Sequence, residues 1–97
     1  MITEVFHIFG PMEIKHDKTG KKAWTTINGH TAYVEYEIIN GAVDILHTFV
    51  PKPLEGQGIA SELVKFVYDY ALEQGYGVSA TCSYATKWLE KHPEYEQ

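Results

Sequence analysis

The chain has 97 residues and a net charge of −5, with 44% hydrophobic and 22% charged residues. That length suits a single domain spanning residues 1–97, and that apolar content supports a packed core rather than disorder. The acidic balance argues against a nucleic-acid footprint and is compatible with a cationic substrate, while no apolar run approaches the roughly 18 residues that span a bilayer.

In chain order, residues 2–9 (ITEVFHIF) read as an edge strand. Three hairpin signals follow. Asp17-Lys18-Thr19-Gly20 reads as a short turn with Gly20 in the left-handed position, and Asn28-Gly29 and Asn40-Gly41 are preferred dipeptides for type I′ turns. Between the turns lie strands at about Glu13–Lys15, Ala23–Ile27, Ala32–Ile38 and Ala42–Phe49. The third alternates cleanly, with Ala32, Val34, Tyr36 and Ile38 on one face and Tyr33, Glu35 and Glu37 on the other.

The period then changes. From Gly58 to Gln74 an apolar stripe of Ala60, Leu63, Val64, Val67, Tyr68, Ala71 and Leu72 marks a helix, with Glu62, Lys65, Asp69 and Glu73 opposite and Gly75 at its C-terminal end. Gly77–Thr81 reads as a strand, and Ser83 as the cap of a helix from Tyr84 to Lys91 that His92-Pro93 ends. The expected fold is α+β: an antiparallel meander of four to five strands, then a β–α–β–α unit whose two strands run parallel.

The N-terminal ten residues lack the basic flank and cleavage site of a signal peptide. Cys82 is the only cysteine, which excludes an intrachain disulfide and a cysteine-based zinc site and fits a reducing, cytoplasmic setting. The five histidines (7, 16, 30, 47 and 92) contain no helical metal-binding pair, so no metal is expected.

The segment VPKPLEGQGIASELV joins the strand to the helix. At such a junction the helix offers unpaired N–H groups, and glycines let an anion approach them. The segment matches neither the P-loop nor the dinucleotide-binding glycine pattern. Judged alone, it is also readable, as the lesser alternative, as a tight strand-to-helix turn with glycine for packing.

In context the segment resembles motif A of the GNAT acetyltransferase superfamily. The resemblance rests on His47-Thr48, Val50-Pro51, Leu54-x-Gly56-x-Gly58-Ile59-Ala60, Cys82-Ser83-Tyr84 and His92-Pro93-Glu94-Tyr95, and extends from about residue 13 to the end. This set is similar to small single-domain YjdJ-like members. Pro53 and Glu55 stand where the superfamily often has Gln or Arg, so binding through backbone amides is implied. The short helices that help form the acceptor site in larger members have no counterpart.

The resemblance implies an acetyl-coenzyme A-dependent N-acetyltransferase acting on an unidentified amine, monomeric or weakly dimeric. By similarity, the pantetheine arm lies along Phe49 and Val50, and the pyrophosphate on Gly56, Gln57, Gly58, Ile59 and Ala60. Ser83, Tyr84 and Lys87 complete the coenzyme set. Tyr84 is placed to protonate the departing thiolate, or else is a packing aromatic; Lys87 is one turn on, or else a surface lysine. Cys82, before a helix N-terminus, reads as a reactive thiol or a small buried hydrophobe. His47 reads as a general base or a core residue, with period-2 alternation placing it on the face of Ile45 and Phe49, opposite Asp44 and Leu46. The alternative function is a non-catalytic acyl-coenzyme A-binding domain.

Overall fold

The computed structural model describes residues 3–9 and 12–96. Six strands form one sheet in the order of the chain: β1 (Thr3–Phe9), β2 (Met12–Asp17), β3 (Lys22–Ile27), β4 (His30–Ile39), β5 (Ala42–Phe49) and β6 (Gly77–Ala80). The first five are antiparallel neighbours, and β6 runs parallel to β5. Between β5 and β6 lie a short 3₁₀ turn, Lys52–Leu54, and helix α1 (Ile59–Glu73); helix α2 (Ser83–Lys91) follows β6. This is the expected meander with a β–α–β–α unit, with residues 3–9 of the expected edge strand present as β1.

The two Asn-Gly turns are as expected, with Asn28 and Asn40 at φ 51° and 52° and the glycines after them at 80°. The first turn differs. Lys21, not Gly20, takes the left-handed conformation, at φ 57°. Gly20 is needed for another reason. Its N–H donates to Asp17 Oδ1 at 3.0 Å, and a Cβ there would fall 2.6 Å from Asp17 Oδ2. The residue is small because the carboxylate needs its space.

Alternation puts Ile14, Ala23, Ala32, Val34, Val43 and Ile45 on one face of the sheet, where α1 covers them with Leu63, Val64, Val67, Tyr68 and Ala71. Fully burying each of these larger aliphatic side chains contributes about 1.5–3 kcal/mol. Helix α2 lies beside α1 and adds Ala85, Trp88 and Leu89 to the same core. Trp88 Nε1 donates to Ser61 Oγ at 2.9 Å, His92 stacks on the Trp88 ring at 3.9 Å, and the Tyr95 hydroxyl donates to Asp69 Oδ1 at 2.7 Å. The His-Pro-Glu-Tyr segment thus fastens the end of α2 to α1.

Among the described residues, both helices pack on the same core, so the strand positions that alternate with it, including Trp24, Tyr33, Glu35 and Glu37, form the second face of the sheet. The covered face holds a buried polar pair, His16 and Tyr36: the His16 Nε2 lies 2.7 Å from the Tyr36 hydroxyl, amid the rings of Phe66 and Tyr70.

Candidate functional site

The site is set by an irregularity in β5. Tyr36 pairs with Ile45 and Glu35 pairs with His47, so Leu46 is an extra residue, a bulge. A bulge reverses the alternation beyond it. Thr48 therefore pairs with Val34 on the helix-covered face, and His47 and Phe49 pair with Glu35 and Tyr33 on the open face. The expectation that His47 shares a face with Ile45 is corrected on this ground. It is exposed, with its ring 5.9 Å from that of Tyr33.

The pairing of β5 with β6 ends at the same place. Their last register pair is Ile45 with Ala80, and the Ile45 carbonyl accepts from both Thr81 and Cys82 N–H at 3.0 Å. Beyond it, Leu46–Phe49 has no β6 neighbour, and a gap opens at that edge. A buried acid holds the last paired stretch together: Asp44 accepts from the Ser79 hydroxyl at 2.6 Å and the Thr81 hydroxyl at 2.7 Å. Tyr68 on α1 donates to the Ser79 carbonyl at 2.6 Å, tying the helix to the same strand.

Cys82 faces this gap. It is the N-cap of α2, which begins one residue earlier than the expected Tyr84, so Cys82 rather than Ser83 holds the capping position. Its Sγ lies 3.5 Å from Thr48 Oγ1. Burial pushes the thiol pKa up, but hydrogen bonding from Thr48 and the amides of Ala85 and Tyr84 at the start of α2 outweigh it, and the net shift is downward. The Cys82 side chain makes no capping hydrogen bond, so the part of this effect that comes from the amides is that of the positive start of α2 on the nearby sulfur. His47 and Cys82, the two chemical candidates of the sequence, are thus on different faces; the side chain that meets the thiol is Thr48.

The glycine loop lies on the helix side of the gap. Gly56 and Gly58 adopt φ 81° and 78°, and a Cβ on either would meet nothing within 4 Å. They are therefore not glycines for packing. Left-handed backbone requires them. Gly58 is the N-cap of α1 and supplies no side-chain cap, so the first amides of the helix have no side-chain acceptor there. Val50, Leu54, Glu55, Gly56, Gly58, Ile59, Ala60 and Tyr84 line a cleft of about 230 Å³ along this loop. That volume suits a phosphate-bearing segment or a slender chain rather than a whole dinucleotide.

Tyr84 is 40% exposed at the cleft wall. Its pKa is raised, chiefly by burial; the Ser61 hydroxyl opposes the shift and the Cys82 charge reinforces it. At neutral pH it is a proton-bearing phenol beside the loop. Gln57 is outside the cleft lining and directs its side-chain amide to the Pro53 carbonyl at 3.4 Å. Ser83 and Lys87 are exposed and also outside the lining. Among the described residues, no three or more His, Cys, Asp or Glu side chains gather to hold a metal.

Two participants went unread in the sequence. Thr48 was visible only as part of a motif; its contact with Cys82 depends on the bulge. Asp44 had a clearer signal, an acid inside the apolar run Val43–Leu46.

The fold and site define an α+β domain with a glycine loop at a helix start, beside two parallel strands that part. Residues 22–97 match the profile of the family described as GCN5-related N-acetyl-transferase, and the chain belongs to that family. It is 32% identical to Protein NATD1 of Mus musculus over 87 residues, which is 87% of this chain and 79% of that protein. The Danio rerio Protein NATD1 is 31% identical over 96 residues, covering 94% of this chain and 87% of its own length. The solution structure of a GCN5-like chain from Staphylococcus aureus superposes with a TM-score of 0.69 at 32% identity, covering 90% of this chain and 86% of that one.

Proposed function

We propose that this protein is an N-acetyltransferase that takes its acetyl group from acetyl-coenzyme A and passes it to an amine. The observation that carries the reading is the uncapped start of α1. Two left-handed glycines bare its amides along a cleft that ends at Tyr84, beside the place where β5 and β6 part. The residues fit the coenzyme: the loop amides of Gly56, Gln57, Gly58, Ile59 and Ala60 would receive the pyrophosphate, and the edge of β5 near Phe49 and Val50 the pantetheine. Glu55 lines the same cleft, so the backbone supplies the attraction. Acetyl-coenzyme A would supply an acyl group activated as a thioester.

The chain's own residues divide the remaining roles. Tyr84 keeps its proton at neutral pH and stands at the cleft wall, suited to protonating a departing thiolate. His47 faces the open side of the sheet, where it can take a proton from an amine arriving from solvent. Cys82 supports a second route through an acetylated thiol, favoured by its lowered pKa beside Thr48. Ser83 and Lys87 are assigned to the outer part of the coenzyme, as exposed residues of the first turns of α2.

Isothermal titration with acetyl-coenzyme A tests the binding step. The native chain should bind, and Gly58→Val should bind about tenfold more weakly or worse, because a branched residue resists the left-handed conformation. No heat at millimolar ligand with the native chain would end the proposal. Turnover is followed by thiol release with a panel of amines. Loss of turnover in His47→Ala with no acetyl adduct on Cys82 supports direct transfer, whereas an adduct in the mass spectrum that disappears in Cys82→Ser supports the thiol route. Coenzyme binding with no turnover above background leaves a binding-only domain.

A further inference from the structure

The open face of the sheet is patterned about the seam between β3 and β4. Rows of register partners cross it. One row runs Lys15, Trp24, Tyr33 and Phe49 from β2 to β5, and the next runs Asp17, Lys22, Glu35 and His47. On the far side of the first row Thr26 and Thr31 are partners, with their hydroxyls 2.9 Å apart. These residues point away from the helices, because their strand neighbours Ile14, His16, Ala23, Thr25, Ala32 and Val34 are buried and the Leu46 bulge turns His47 and Phe49 outward. The Tyr33 and Phe49 rings are 5.4 Å apart, and Phe49 is 43% exposed. The Lys22 ammonium lies 4.3 Å from the centre of the Tyr33 ring rather than on its register partner Glu35, and Glu35 has no ion-pair partner among the described residues. Glu37, farther along β4, is paired with Lys21 at 3.4 Å.

We infer that this face docks a second copy of the chain, through a two-fold axis that lies along the β3–β4 seam. Such an axis returns each row to itself with its ends exchanged, so β3 meets β4 of the second copy and β2 meets β5. Trp24 then packs on Tyr33 of the second copy, and Lys22 meets its unpaired Glu35. Farther out, Asp17 meets His47, and Lys15 meets the exposed Phe49 ring. Every pair occurs twice, as an isologous interface requires, and no like charges face each other in these rows. Rings lie beside the axis, with a charged row on one side and hydroxyls on the other. Two sheets stacked face to face about 10 Å apart, with strand directions within about 30°, satisfy this arrangement.

Charge selects this occupant over others. A partner of one sign would leave either Lys15 and Lys22 or Asp17 and Glu35 unmatched, whereas a second copy offers each of them an unlike or aromatic partner. Four strands about 4.8 Å apart, crossed by three rows about 7 Å apart, make a patch on the order of 400–600 Å² on each copy, at the low end of specific interfaces. The net charge of −5 on each chain also opposes association. The pair is therefore weak and reversible. This inference goes beyond the acyltransfer reading and does not rest on it. If that reading holds, Asp17 of one copy stands beside His47 of the other, and the open-face edge of the site is shared between copies.

Sedimentation velocity of the native chain from roughly 10 µM to 1 mM should show passage from monomer to dimer. Lys22→Glu and Glu35→Lys should each weaken association about tenfold or more, because each sets two like-charge pairs across the axis. The double variant carrying both changes should associate as the native chain does. A mixture of the two single variants should form one-to-one heterodimers although neither associates alone, because the like pairs of each become unlike pairs between them. Amide spectra check that each variant is folded. In the native chain, isotope-filtered contacts between Trp24 of one copy and Tyr33 of the other give a readout that needs no substitution. A native chain that is monomeric throughout overturns the inference. So does association that neither reversal weakens, a mixture that behaves as its components do, or intermolecular contacts that omit the Trp24–Tyr33 pair. A monomeric chain whose open-face amides shift with polylysine or with anionic vesicles gives the face to another occupant and overturns it as well.

Discussion

The two faces of this sheet are built from the same strands and answer to different rules. The covered face is a continuous apolar core in which Ile14, Val34, Val43 and Ile45 meet Leu63, Val64 and Val67. The open face pairs rings with rings and charges with charges, and leaves Phe49 and His47 in solvent. Stability resides in the first, whereas recognition is available only on the second and in the gap where the two meet. The Leu46 bulge makes that division inside a single strand, sending Ile45 to the core, Thr48 to the thiol and His47 to solvent.

The largest difference should come from truncating one side chain on each face of β5. Ile45→Ala leaves a cavity in the core and should cost about 2–5 kcal/mol in denaturant unfolding. Phe49→Ala, on the exposed side, should cost under about 1 kcal/mol. Equal losses would mean that the open face is packed in solution.

Asp44→Ala comes next. It leaves the Ser79 and Thr81 hydroxyls without their acceptor in a partly buried place, at a cost of about 1–3 kcal/mol. Amide hydrogen exchange should quicken selectively along β6; a uniform change would show that the clasp is not local.

A smaller effect is expected at alkaline pH. Tyr36 and Tyr68, both on the covered side, have pKa values raised well above the ordinary tyrosine range, first of all by burial. The unfolded chain therefore loses these protons first. Stability is full below about pH 10 and falls as pH rises beyond it. Chemical unfolding between pH 8 and 11 checks this, and a flat profile contradicts it.

The smallest effect concerns Cys82. Its lowered pKa makes the thiolate available at lower pH than in an ordinary cysteine, so the midpoint of its iodoacetamide alkylation profile should lie below that of the denatured chain. Because the folded pKa is the lower one, the associated stability is present above the unfolded pKa and is lost as pH falls through the folded value. Thr48→Val should move the alkylation midpoint back upward.

Much of this architecture was legible where chemistry is local. Asn28-Gly29 and Asn40-Gly41 specify their turns because both central residues need positive φ. The α1 stripe and the Ala32–Ile38 alternation report burial directly, since each position's environment repeats with the period of the element. Gly56 and Gly58 were legible as a loop whose backbone must be bare. Their open surroundings, with no atom within 4 Å of where a Cβ would stand, rule out close packing as the reason for glycine there.

What the sequence determined by itself is therefore the order of the elements, the helix-covered core and the position of the glycine loop, all set by patterns within a few residues of one another. Tertiary structure decided the rest. Gly20 is small because the Asp17 carboxylate folds back on it, and the left-handed residue is Lys21. His47 and Cys82 are on separate faces because one unpaired residue, Leu46, resets the alternation of β5, and the pairing that reveals it lies across the sheet on β4. A period of two is read along a strand, but its phase beyond a bulge is set by the neighbour to which the strand is bonded.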